Sequence, residues 1–520
     1  MTPPAGTDIA PAVEGPLSSR LRGAAAAAIP VLLAAWVYFP ITRGYFWSDD
    51  FTNLVSIVDE GFVSFVLRPF GGHNLLARNL AFYGSYQLFG LRADLYFWTV
   101  LLTFLLDVWL LFRILRNLTG SLTLACFGAT LWGTSPLNDG TLAWYSVYGQ
   151  VLATTVLLLV LDRVTARARD GGATDLGSGL VWYGLLLVGT VSFGVGVGVA
   201  LVFPAVLFLL LPDAWHQPRI RALYLSLPPV TIALYFAFRR LYPLVAELRP
   251  EERYAATGLP PLADVIAMTR ELMIFSIGSS LGSFAGFAGF GEPLPPSFPM
   301  VLALFAVGVL ILLWRGDAAA RRAAAAMAIL CAGTYLVIAV GRAPLAAYSG
   351  GIVAASAQLR YHFVGAVPVV VVACLALQQI GRLGPLRRVP RAPLLLAALA
   401  FGMWAYRRSE FVVHDNAAAR LEFQAAVRAI DAAVAAHPMG ATVIIDTGQP
   451  TKSLLGWVMP KRDFPGRAAV FLLTRSGDEV DGRRVRFIER DPAVRAWYAA
   501  RPESRLGRLL IDPADVSPAR

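Results

Sequence analysis

Apolar runs follow one another along most of the chain, separated by short polar stretches that carry arginine. A helix of about 20 apolar residues crosses the ~30 Å hydrocarbon core of a bilayer. By that measure spans are predicted near 23–42, 95–112, 120–135, 145–161, 179–194, 196–211, 222–241, 298–314, 323–341, 363–381 and 392–407. The stretch 179–211 is too long for one helix, and Ser192-Phe193-Gly194-Val195-Gly196 in its middle reads as the break. Segment 266–290 is apolar but rich in Gly and Ser, which suits either a span or a hairpin lying on the surface.

The pattern changes at both ends. Residues 1–22 are rich in Pro, Ala and Gly and read as a disordered cytoplasmic segment. Arg20 and Arg22 then precede an uncharged run, Gly23 to Thr42, longer than the h-region of a signal peptide and read as a retained anchor helix. From Glu410 onward apolar and charged residues mix. Ala417 to Ala436 has helical periodicity, while Ala441–Asp446 and Ala469–Leu473 read as buried strands bounded by Gly and Pro. The expectation is three parts: 1–22, a membrane domain over 23–409, and a soluble α/β domain over 410–520. The fold class is therefore a polytopic α-helical membrane protein with about 11 transmembrane helices, outer-face surface helices and a small C-terminal α/β domain.

Composition reinforces the membrane reading. Hydrophobic residues make up 57% of the 520 and charged residues 15%, against about 25% charged in soluble domains. Mean hydropathy is +0.59. The net charge of +11 does not mark a nucleic-acid binder, because the arginines sit in short clusters between apolar runs and form no continuous basic face. Cys126, Cys331 and Cys374 each lie in an apolar stretch, with no metal-site or disulfide spacing.

Arginine clustering orients the spans, since cytoplasmic loops carry the excess of positive charge. With the N-terminus inside, the clusters Arg113/Arg116, Arg163/Arg167/Arg169, Arg219/Arg221, Arg315/Arg321/Arg322 and Arg382/Arg387/Arg388/Arg391 all fall inside, provided 266–290 lies on or re-enters the outer face without crossing. The outer loops are then 43–93, 136–144, 242–297 and 342–362. The C-terminal segment also falls outside, and the protein is placed in the plasma (inner) membrane.

The first outer loop, 43–93, holds the densest candidate chemistry. It opens Trp47-Ser48-Asp49-Asp50-Phe51. Asp49 or Asp50 can take a proton from an attacking hydroxyl as a general base, and the pair can hold a divalent cation through oxygen ligands. Ser-Asp-Asp is equally a good helix N-terminus. Further on stand Arg68-Pro69-Phe70-Gly71-Gly72-His73 and an apolar surface helix, Leu75 to Leu88. Arg68 and His73 can contact a phosphate. At the outer start of the span 363–381, Arg360 and Tyr361 lie at headgroup depth, where Arg360 can bind a lipid-linked phosphate or snorkel as an anchor. Asp107 lies within the second span, as a functional acid or a paired one. Gly194-Val195-Gly196-Val197-Gly198 has no phosphate-binding helix context and reads as a close helix contact.

An inside N-terminus and a long outer loop opening on an acidic pair resemble the C-type integral-membrane glycosyltransferases, which include the protein O-mannosyltransferases and the aminoarabinose transferases of lipid A. The resemblance implies a polyprenyl-phosphate sugar as donor, chemistry at the outer membrane–water interface, and a catalytic acid in the first outer loop, here Asp49 or Asp50. It also places Arg360 with Tyr361 near the donor phosphate. The mannosyltransferase pattern has Asp-Glu and a His/Pro-rich stretch where this chain has Asp-Asp, with Arg68, Pro69 and His73 further on, so the sugar is left open. The acceptor is an envelope glycan, lipid or protein. Competing readings are a transporter or lipid flippase working through Asp107, a non-catalytic membrane scaffold whose outer domain binds wall polymers or proteins, and a ligase-type polymer transferase.

Overall fold

A computed structural model describes residues 16–172, 174–246, 260–282, 298–382, 392–446, 466–475 and 477–516. Helix α1 (Pro16–Tyr38) runs into a 3-10 turn, Phe39–Arg43. The polar loop after it folds into α2 (Asp49–Asp59), α3 (Phe62–Leu67), the paired strands β1 (Pro69–Phe70) and β2 (His73–Asn74), and α4 (Leu76–Phe89). Then come α5 (Ala93–Thr119), α6 (Leu122–Gly133), α7 (Asp139–Leu142), α8 (Tyr148–Asp170), α9 (Leu176–Thr190) and α10 (Gly194–Leu210). They are followed by α11 (Pro218–Leu225), α12 (Leu227–Leu241), α13 (Leu262–Gly282), α14 (Phe298–Arg315), α15 (Ala318–Arg342), α16 (Ile352–Ser356), α17 (Ala366–Ile380) and α18 (Ala392–Ala435).

A helix occupies every position where an apolar run predicted a span. Among the described residues six helical stretches are long and apolar enough to cross a bilayer, and α6, α9, α10 and α17 are shorter apolar helices. This is a multi-pass membrane protein. The predicted span 120–135 differs from the expectation. Helix α6 has 12 residues, a rise of ~18 Å, and Leu124 to Gly133 are all buried, so α6 is an internal helix walled by its neighbours. A Cβ at Gly128 would lie 2.6 Å from Cys374 Sγ. Residues 16–22, expected to be disordered, are helical; 1–15 lie outside the described residues.

Two cavities mark the two ends of the bundle. One is lined by Gln150 near the start of α8, Gly194 at the start of α10, and Val337 to Arg342 at the end of α15. The other is lined by Thr165 to Arg169 late in α8, Leu209 and Leu210 at the end of α10, and Asp317 to Ala323 at the start of α15. Helices α8, α10 and α15 each run from one cavity to the other; α15, with 25 residues, is ~37 Å long. Arg167, Arg169, Arg322 and Arg382 line the second cavity, and Arg116 lies against Gly23. The clusters foreseen on one side of the membrane thus share one end of the bundle. Arg387, Arg388 and Arg391 lie outside the described residues.

Helix α12 meets β2 beside the first cavity, where the Asn74 amide donates to the Tyr235 carbonyl. Helix α14 starts at Phe298, away from the arginine end, with its ring against Gly278 of α13. The end of α12 and the start of α14 therefore lie at the same end of the bundle. The described part of the chain between them is a bundle helix, not a surface hairpin: α13 buries Met268, Leu272 and Ser276, and Phe275 packs on His362. Residues 283–290 lie outside the described residues. The glycine run does permit close packing. A Cβ at Gly196 would meet the Gly189 carbonyl of α9, and one at Gly198 the Gly333 carbonyl of α15.

The C-terminal part comprises β3 (Thr442–Asp446), α19 (Gly466–Thr474), β4 (Glu479–Val480), β5 (Arg483–Ile488), α20 (Pro492–Ala499), α21 (Arg505–Leu509) and β6 (Leu510–Ile511). Strand β5 is central, parallel to β3 and β6 and antiparallel to β4. The strand expected at 469–473 is instead helix α19, whose residues Ala468 to Leu473 are all buried. A short run that is apolar on every side carries no period to separate strand from helix. The boundary expected at 409/410 falls inside α18, a single helix of 44 residues. This part seats on the first loop: Phe423 packs on Phe51 at 5.2 Å, and Asp59 accepts hydrogen bonds from Ser504 Oγ and the Leu506 amide.

Candidate active site

The acidic pair opens α2, as a helix start should, but the two acids diverge. Ser48 has φ +46 and makes no side-chain cap, a conformation that costs a non-glycine residue ~1–3 kcal/mol. Asp50 does the tethering instead. Its Oδ2 accepts from the Trp47 amide at 2.9 Å, and its Oδ1 accepts from the amide and hydroxyl of Ser146, each at 2.6 Å. The carboxyl is fully buried. Burial pushes it up to about 7, against the hydrogen bonds from Ser146 and Trp47 and with the charge of Asp49 adding to the rise. Asp50 thus pins α2 to the turn before α8, while Asp49 lines the first cavity.

His73 reaches the same cavity through a two-residue turn. Gly71 and Gly72 both have positive φ, as this kind of hairpin requires, and Phe70 pairs with His73. The imidazole stacks on Phe193 at 4.7 Å, and position 194 is glycine because a Cβ there would lie 2.3 Å from Nδ1. Nε2 lies 3.2 Å from Arg342 Nη2. Arginine only donates, so Nε2 accepts and the ring proton sits on Nδ1. Burial, then the charges of Arg342, Arg78 and Arg239, push His73 down to about 3, keeping it neutral at physiological pH.

Three guanidinium groups line this cavity of about 160 Å³: Arg78, Arg342 and Arg360. Arg78 is 1% exposed. Its Nη1 donates to Asn53 Oδ1 at 2.6 Å, and Asn53 in turn donates to the Asp49 carbonyl and Ser146 Oγ. Its Nε is buried without an acceptor, and burial pushes the group down to about 10. Arg360 stacks on Trp144 and Tyr361, each at 5.2 Å, and Arg342 on Tyr361 at 5.8 Å. Arg78 is attracted by the charges of Asp49 and Asp50, and among the described residues Asp49 is the sole acid lining the cavity.

The structure thus brings together Asp49, His73, Arg360 and Tyr361. It does not bring Arg68, which is 4% exposed, pairs with Glu60 at 3.0 Å and donates to the Ser56 hydroxyl. Asp107 is buried in α5 beside the Thr155 hydroxyl of α8, in neither cavity lining. Sequence reading missed Arg78, Arg342, Trp144 and Ser146. Arg78 had a signal, a lone charge within an apolar helix; Ser146 had none. For a divalent cation the donors are poorly set: both Asp50 oxygens already accept hydrogen bonds, and no group of three or more His, Cys, Asp or Glu gathers among the described residues.

No family model and no curated protein matches the chain. Among solved structures, ArnT from Cupriavidus metallidurans in the apo state overlaps 96% of this chain and 90% of its own, at 12% identity and a TM-score of 0.36. That overlap is too loose to carry over a residue or an activity.

Proposed function

We propose that the protein is a membrane glycosyltransferase that moves a sugar from a polyprenyl-phosphate donor to an extracytoplasmic acceptor, with Asp49 as general base. The observation that supports this is one cavity lined by a single carboxylate, Asp49, beside three guanidinium groups, Arg78, Arg342 and Arg360. Such a site suits a reaction that removes a proton at one point and releases a phosphate at another. The acceptor hydroxyl attacks the anomeric carbon and its proton passes to Asp49. The new glycosidic C–O bond forms as the C–O bond to phosphate breaks. The electron pair leaves on the phosphate, whose charge Arg342, Arg360 and Arg78 offset. Neutral His73 holds Arg342 in place through Nε2 and can donate to a phosphate oxygen through Nδ1.

A direct attack inverts the anomeric centre. A retaining route needs a second carboxylate as nucleophile, and Asp50 is held out of the cavity by its three hydrogen bonds. Asp50 therefore acts as a positioning residue. The cavity end is taken as the outer face, because the arginine clusters gather at the opposite end.

The test is transfer in proteoliposomes from a panel of polyprenyl-phosphate hexoses and pentoses, with Asp49→Asn beside the unaltered protein. Asp49→Asn should keep the thermal midpoint and lose about 10²–10⁴-fold in rate. Transfer by Asp49→Asn at the unaltered rate would overturn the base assignment. Failure of any polyprenyl-phosphate sugar to bind or react would overturn the donor class.

A further inference from the structure

We propose that the cavity at the arginine end is a binding site for a phosphate-bearing group, separate from the reaction cavity. It encloses about 490 Å³ and is lined by Arg167, Arg169, Arg322 and Arg382 against two acids, Asp213 and Asp317. Asp317 is already engaged, since its carboxylate caps α15 by accepting from the Ala320 amide at 2.8 Å. Arg169 donates to Asp170 and to Asn117 Oδ1, and Arg382 donates to a neutral amide, Gln379. Arg322 has no acidic partner among the described residues, and its Nε is buried without an acceptor. A buried guanidinium N–H left unsatisfied is costly, and it calls for an acceptor that the protein does not supply.

Ordinary cytoplasmic-side arginines point into water or headgroups and need no cavity. Here helix ends from α5, α8, α10, α15 and α17 enclose them, and residues 209–211 and Leu118 form an apolar side. A basic pocket between helix ends with one apolar wall suits a phosphate that is bound to a lipid. A free phosphate would use the same guanidinium groups. This inference does not depend on the reaction proposed for the other cavity.

The test uses the full chain, delipidated and returned to nanodiscs of phosphatidylcholine alone, of phosphatidylcholine with phosphatidylglycerol, or of phosphatidylcholine with millimolar inorganic phosphate in the buffer. The proteins are the unaltered chain, Arg322→Gln with Arg382→Gln, and Arg219→Gln, an exposed arginine at the same end outside the cavity lining. The thermal midpoint and bound lipid by native mass spectrometry are the readouts. A rise with phosphatidylglycerol in the unaltered and Arg219→Gln proteins, with apparent affinity at least about tenfold weaker in the double variant, supports a lipid phosphate. The same pattern with inorganic phosphate alone supports a free phosphate. Equal responses in all three proteins, or none in any arm, overturn the site. The double variant's midpoint in phosphatidylcholine alone reports its folding.

Discussion

Arginine does different work at the two ends of this bundle. At the arginine end, guanidinium groups other than Arg322 and Arg382 meet carboxylates: Arg113 pairs with the buried Asp162 at 2.9 Å, Arg167 with Asp175 at 3.5 Å, and Arg169 with Asp170 at 2.9 Å. At the cavity proposed for the reaction, Arg342 and Arg360 meet His73 and aromatic rings instead, and Arg78 meets Asn53 with the charges of Asp49 and Asp50 near it. Amide, imidazole and ring orient a guanidinium without neutralising it. The first arrangement fixes helix ends and satisfies buried acids. The second leaves positive charge for a ligand, and burial of Arg78 gives that charge a low-dielectric setting in which it acts more strongly.

The largest effect that should separate the ends is on transfer. Arg342→Gln is expected to cost about 10²–10³-fold in rate, because it removes both a phosphate partner and the donor to His73. Arg113→Gln should leave the rate within about twofold, as expected of a residue with no reach to the reacting atoms. Initial rates in proteoliposomes at saturating donor decide it. Equal losses in the two variants would mean that the ends are not functionally distinct.

Arg113→Gln should show itself in stability. Asp162 is 2% exposed, and without its partner it becomes a buried unpaired carboxylate, at a cost of about 1–3 kcal/mol. The thermal midpoint should fall and should recover in part when Asp162→Asn is added. At the other end Asp50→Asn should cost a similar amount for a different reason. The side-chain amide introduced there would turn its NH₂ toward either the Trp47 amide or Ser146, donor against donor. Asp50→Asn is then expected to lower both the midpoint and the folded yield, whereas Asp49→Asn lowers transfer alone. Measured side by side, the two substitutions test the proposed division into a positioning acid and a base.

How far these distinctions could be read before the fold was known depends on which contacts are local. Apolar runs located the helices because each span must satisfy its own backbone, and arginine clusters sorted their ends because charge does not cross lipid. Both signals lie within about 20 residues. The difference in setting between Asp49 and Asp50 is not local. It depends on Ser146, 96 positions away from Asp50, on a turn whose sequence carries no sign of it. Arg68 misled for the same reason in reverse: next to a Gly-Gly turn it looked available, while Glu60, eight residues earlier, already held it. Arg342 stood unremarked at the start of the outer loop 342–362, and its approach to His73 joins residues 269 apart.

The smallest effect expected in the unaltered protein comes from pH, where two groups at the cavity oppose each other. Asp50 is raised to about 7 from an ordinary 3.8, so between about 4 and 7 the folded state holds a proton that the unfolded state has lost. Its contribution to stability is full below the unfolded value and is lost as pH rises toward 7. His73 is lowered to about 3 from 6.5, so over about 3 to 6.5 the unfolded state holds the extra proton. Stability from this group rises with pH across that range and is lost on acidification. Between about 4 and 6.5 the slopes have opposite sign and similar size, and the thermal midpoint should be nearly flat as far as these two groups set it. Each single substitution unmasks the other group. Asp50→Asn should give a midpoint that climbs from pH 4 to 6.5, and His73→Gln one that falls over the same range. Parallel curves for the two variants would mean that burial does not hold Asp50 protonated and His73 neutral. The cavity would then carry a different charge from the one that distinguishes it from the arginine end.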